Sequence, residues 1–61
     1  MANLKKIWIE EVEGEKPAIR MDWDNDRHQR IEIKGSNPLH VISALNGAAL
    51  MLEEELDKEK I

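Results

Sequence analysis

The 61 residues contain no cysteine, so no disulfide can reinforce the fold. A chain this short buries only about 60% of the surface it exposes when unfolded, and without disulfides it draws on a metal or on partner subunits. The lack of cysteine also fits a reducing compartment. No N-terminal apolar run has the form of a signal peptide, and the expected location is the cytoplasm. No stretch approaches the roughly 20 apolar residues of a membrane span, so no membrane partner is expected. Phenylalanine and tyrosine are missing, and only two tryptophans are present. Sites that bind nucleic acid through stacked aromatics on a basic stripe need more rings than this. They also need surplus positive charge, whereas 13 Asp/Glu oppose 9 Lys/Arg for a net charge of −4. Nucleic acid is therefore not the expected partner.

What is present divides into two patterns. Through residue 34, apolar residues alternate with charged ones. Residues 4–12 (LKKIWIEEV), 18–23 (AIRMDW) and 29–34 (QRIEIK) have the period of half-buried strands. Gly14 and Pro17 mark the first turn, and Asp24-Asn25-Asp26 marks the second. An antiparallel register with Glu10 opposite Arg20 and Asp22 opposite Arg30 places Met21 between Ile9 and Ile31. It also sets opposite charges across from one another on the outer face. Trp8 falls on that charged face.

After residue 37 the apolar spacing becomes helical, and the pattern predicts a helix over about 38–58. Asn37 is a favourable N-cap, and Pro38 suits the first helical position, where no amide hydrogen is needed. Val41, Ile42, Leu45, Ala48, Ala49, Leu52 and Leu56 make a stripe expected to cover Ile7, Ile9, Ile19, Met21, Trp23, Ile31 and Ile33. The expected fold is α+β, one domain over 1–61: a three-stranded antiparallel meander and one C-terminal helix packed on one face, β-β-β-α. Leu50 lies off the stripe, and Gly47 costs a helix interior roughly 1 kcal/mol relative to alanine. With Ala44 and Met51 they form a candidate subunit contact, and a homo-oligomer, dimer or higher, is expected.

Catalytic and metal chemistry find little support. Asp22-Trp23-Asp24-Asn25-Asp26 opens like a calcium loop, but Arg27 stands at the required glycine and Ile33 at the bidentate glutamate. His28 and His40 fit no zinc spacing. Ser43 lies one helical turn from His40 without an elbow motif or an orienting acid. No catalytic residue, metal or cofactor is expected, and the chain is not expected to be an enzyme. The segment Lys34-Gly35-Ser36-Asn37-Pro38-Leu39-His40 is a candidate anion site. Amides at a helix start attract phosphate or carboxylate, and Lys34, Gly35, Ser36, Asn37 and His40 add charge, close approach and donors. On the sheet's outer face, Trp8, Arg20 and Arg30 are further candidate ligand residues.

This layout of a short strand meander, one Ala/Leu-rich helix and an acidic end resembles small phage- or prophage-encoded accessory proteins. The resemblance implies a protein that blocks a host protein, or one that sequesters a small nucleotide within an oligomer. The expected function is a non-enzymatic, homo-oligomeric protein-interaction module of inhibitor or adaptor type. The alternative is an oligomeric binder of a phosphate-bearing molecule, such as a nucleotide, near the helix N-terminus.

Overall fold

The computed structural model describes residues 2–58. Alternating apolar and charged residues form β1 (Leu4–Glu10), β2 (Ala18–Trp23) and β3 (His28–Glu32), and the helical stripe forms α1 (Pro38–Asp57). The strands make one antiparallel sheet in the order β1-β2-β3. The helix lies across one face, giving the expected β-β-β-α arrangement. β1 stops at Glu10, two residues short of the expected end, and β3 runs from His28 to Glu32 rather than over 29–34.

Both hairpins differ from the expected register by two residues. Ile7 faces Met21 and Ile9 faces Ile19, and on the other side Ile31 faces Ile19 and Gln29 faces Met21. Met21 thus lies between Ile7 and Gln29, not between Ile9 and Ile31. Arg20 faces Trp8 and Arg30, and Asp22 faces His28. The turns account for the shift. Gly14 adopts a left-handed φ of 83° and the Glu15 amide bonds the Val12 carbonyl at 3.0 Å, so the chain reverses around Glu13-Gly14. In the second hairpin Asp26 takes a φ of 64°, and Trp23 bonds both Asp26 and Arg27, closing a three-residue loop. A slip of two preserves the inside-outside parity, so the expected faces survive although the expected partners do not.

The core lies between β2, β3 and the helix. Ile19, Met21, Ile33, Ala44 and Ala48 are buried together, with Ile31, Val41, Met51 and Leu52 packed against them. The small residues Ala44 and Ala48 bring the helix close to the sheet. At the far end Trp23 is buried, and its indole donates to Gln29 Oε1 at 2.7 Å. Glu55 ties the last helical turns to this end, accepting from Arg27 Nη2 at 2.8 Å and from the Ala2 amide at 3.4 Å. Arg27 in turn lies over the Trp23 ring, 4.9 Å from its centroid.

The expected cover is incomplete. The helix contacts β2 and β3, while Ile7 and Ile9 of β1 remain 47% and 59% exposed. Ile42, Leu45 and Leu56 of the expected stripe are likewise more than half exposed. Widths explain the gap: strands sit about 4.8 Å apart, and a helix with its side chains is about 10 Å across, so one helix roofs two strands of three.

Candidate functional site

Three regions carry the candidate residues. The first is the joint between β3 and the helix. Asn37 caps the helix as expected, its Oδ1 accepting the Leu39 amide at 2.9 Å. Its carbonyl accepts the His40 amide at 2.9 Å and the Val41 amide at 3.4 Å. Pro38 has no amide hydrogen, so these first-turn donors already have partners within the chain. A β-carbon built on Gly35 would come within 2.8 Å of the His40 ring, so the histidine takes up the close approach that the glycine allows. Lys34 and His40 line an open cleft of about 190 Å³ with Ile31, Glu32, Ser43 and Ala44. Glu32 also lines this cleft, and its carboxylate lies 3.9 Å from Arg30 Nη1. Ser36 is exposed at the bend.

The second region is the outer face of the sheet. Trp8, Arg20 and Arg30 stand in one row across the three strands. Lys6 Nζ lies 4.5 Å from the Trp8 ring centroid, and the Arg20 guanidinium lies 5.7 Å from it. Such cation–π contacts draw both cations to the indole. Arg20 also pairs with Glu10 at 3.1 Å, Arg30 donates to the Lys16 carbonyl at 3.0 Å, and Asp22 meets His28 at 2.6 Å. The cations of this face are engaged by neighbouring carboxylates, carbonyls and the indole. The structure therefore gathers the eight candidate ligand residues into two groups, one at the helix start and one on the outer face, and does not unite them in a single site.

The third region was not singled out from the sequence. Leu52 and Leu56 line a cleft of about 260 Å³ with Leu4 and Trp23, whereas His40 and Ser43 line one with Ile31. The flank carrying Ile42, Leu45, Ala49, Leu52 and Leu56 therefore turns toward the β1 side. Beside it Ile7 and Ile9 form an uncovered sheet surface. The two surfaces make an open apolar trough. The accessible surface is 4689 Å² for a 7.1 kDa chain. A compact monomer of that mass exposes about 4,100 Å².

The four residues expected at a subunit contact are distributed otherwise. Ala44 is buried against the sheet, Met51 packs on the core, and the position of a β-carbon at Gly47 lies 3.6 Å from the Ile31 side chain. Position 47 thus faces this chain's own sheet at ordinary contact distance, and of the four only Leu50 points freely to solvent, at 60% exposure.

Among the described residues no cluster of three or more His, Asp or Glu side chains has a metal-holding arrangement, and no helix is long and apolar enough to cross a membrane. The chain matches no family model, and no curated protein or solved structure matches it.

Proposed function

We propose that this protein is a non-enzymatic, homo-oligomeric protein-interaction module of inhibitor or adaptor type. The observation that carries the reading is the uncovered apolar trough between β1 and the helix flank. Single exposed apolar residues are ordinary on protein surfaces, but a contiguous face of this kind marks a contact with another macromolecule. A second copy of the chain is the first occupant, because a cysteine-free domain of this size gains most from oligomerisation. Native mass spectrometry of the protein from its natural host tests the reading, since it reports subunit number and retained partners together. A spectrum of dimers or larger assemblies is expected. A spectrum of bare monomers overturns the reading.

A second reading, an oligomeric binder of a phosphate-bearing small molecule, is supported by the cleft beside Lys34 and His40. It is the weaker of the two because the first-turn amides are already engaged within the chain. Titration with inorganic phosphate and simple nucleotides, followed by amide shifts, separates the two. Movement of Gly35, Ser36 and Leu39, lost in Lys34→Glu, supports ligand binding. Silence at millimolar ligand removes it.

A further inference from the structure

We infer that β1 is the assembly edge, and that two copies pair β1 with β1 antiparallel about a two-fold axis at Trp8, joining their sheets into one of six strands. This deepens the homo-oligomeric reading and rests on it. The first support is the main chain. In an antiparallel ladder, successive residues direct their N–H and C=O groups alternately to one neighbour and then the other. The Ile33 amide bonds the Pro17 carbonyl at 2.8 Å, and the Trp23 amide bonds Arg27 at 2.9 Å, which turns the odd-numbered residues of β2 toward β3. Ala18, Arg20 and Asp22 therefore bond Glu10, Trp8 and Lys6 of β1. On β1 this leaves the main-chain groups of Ile7 and Ile9 pointing out of the sheet, along an edge that the helix does not cover. Unpaired edges of this kind are templates for strand addition.

The second support is the order of side chains along that edge. The segment Leu4-Lys5-Lys6-Ile7-Trp8-Ile9-Glu10-Glu11-Val12 is self-complementary when reversed about its centre. Antiparallel pairing at Trp8 sets Ile7 opposite Ile9 of the second copy and Lys6 opposite Glu10, within the regular part of the strand. Lys5 and Glu11, just outside that regular stretch, bring a further pair of opposite charges near each other at the strand ends. Lysines on a sheet edge ordinarily discourage pairing. Here Lys6 meets Glu10 of the partner strand, a carboxylate that also holds Arg20 of its own chain. The main-chain parity agrees, because Ile7 and Ile9 of the two copies become the hydrogen-bonded pairs. The two Trp8 residues then face one another at a non-hydrogen-bonded position, where side chains approach most closely. The register irregularity between Leu4 and Lys6 lies at the end of the strand and leaves Lys6 to Glu10 regular. Pairing also joins Ile7 and Ile9 of both copies into one apolar floor.

Charge reversal tests the pairing. One chain carries Lys5→Glu with Lys6→Glu, and a second carries Glu10→Lys with Glu11→Lys. In the proposed register each meets like charges in its own homodimer, while an equal mixture restores all four pairs. Sedimentation velocity is expected to show self-association of each variant weakened by at least about tenfold and a one-to-one heterodimer on mixing. Glu10→Lys also removes the Arg20 contact. If circular dichroism shows that the second chain fails to fold, Lys6→Glu alone, which leaves the Arg20–Glu10 pair intact, poses the same question through weakened self-association. Trp8→Cys adds a register test in a chain with no other thiol, and rapid disulfide dimerisation under mild oxidant is expected. If the wild type is dimeric and the reversed chains dimerise as well as it does, the edge pairing is wrong while the oligomer stands. If the wild type is monomeric, both are wrong.

Discussion

Ile9 and Ile19 face each other across β1 and β2 on the same side of the sheet, yet Ile19 is 2% exposed and Ile9 is 59% exposed. The same substitution at both sites therefore separates what holds the chain together from what joins chains. Threonine keeps the β-branch that suits a strand, so backbone preference changes little. Full burial of an isoleucine side chain contributes about 1.5–3 kcal/mol. At position 19 that contribution is lost and a hydroxyl is placed among Met21, Ile33 and Ala48, for a cost of about 2–4 kcal/mol. At position 9 about 40% of the contribution is realised within one chain, so Ile9→Thr costs an isolated chain about 1 kcal/mol. Part of the remainder is gained when a second copy pairs alongside β1 and its side chains shield Ile9, and over two subunits the dimer Kd is expected to rise by about tenfold or more. Urea unfolding at low and high protein concentration, combined with sedimentation, measures both quantities. If Ile9→Thr destabilises dilute protein as much as Ile19→Thr, then β1 is covered within the chain and the trough is not open. If it leaves self-association unchanged, the trough is not the interface.

Three further outcomes follow from local geometry. Asn37→Ala removes the acceptor for the Leu39 amide and is expected to cost about 1 kcal/mol in urea denaturation, with Asn37→Ser recovering most of it. Gly14→Ala forces a side chain onto a left-handed φ and is expected to cost about 1 kcal/mol, whereas Asp26→Gly relieves the same conformation in the second hairpin and should raise stability. Glu55 is held below the usual carboxylate range by its hydrogen bond from Arg27, against the opposing effect of burial and with help from Lys58. A carboxylate depressed on folding contributes stability that is present above its unfolded pKa and is lost as pH falls through its folded pKa. Denaturation curves should thus weaken on acidification through and below the ordinary glutamate range. Glu55→Gln should flatten that limb while lowering stability at neutral pH.

Much of this architecture was legible in the residues. Period two at Ile19-Met21-Trp23 and at Ile31-Ile33 placed the inner face, because neighbouring positions on a pleated strand must point oppositely. Asn37-Pro38 marked the helix start through a donor satisfied and a donor absent. The strand partners were not legible, since a slip of two leaves every apolar residue on its proper face. Only the left-handed residues at Gly14 and Asp26 decide where the chain reverses, and two of the residues flanking them, Glu15 and Asn25, could also have formed turns. The open trough was obscured for a different reason. A stripe containing Ile42, Leu45 and Leu56 invites the assumption that all of it is covered, but one helix is too narrow to reach β1. Counting strands under the helix would have exposed the surplus. At the helix start, Lys34, Gly35 and Ser36 read as an anion cradle, yet bonds from the Asn37 side chain and carbonyl and the packing of His40 on Gly35 appear only once the backbone is placed.

The central claim is that β1 and the apolar surface beside it form the interface with a second copy of the chain. Sedimentation equilibrium of the wild-type protein from low micromolar to millimolar concentration tests it most directly. The account predicts a mass of at least two chains at micromolar concentration, falling to one chain on dilution or in Ile9→Thr. A mass of one chain across the whole range would contradict it.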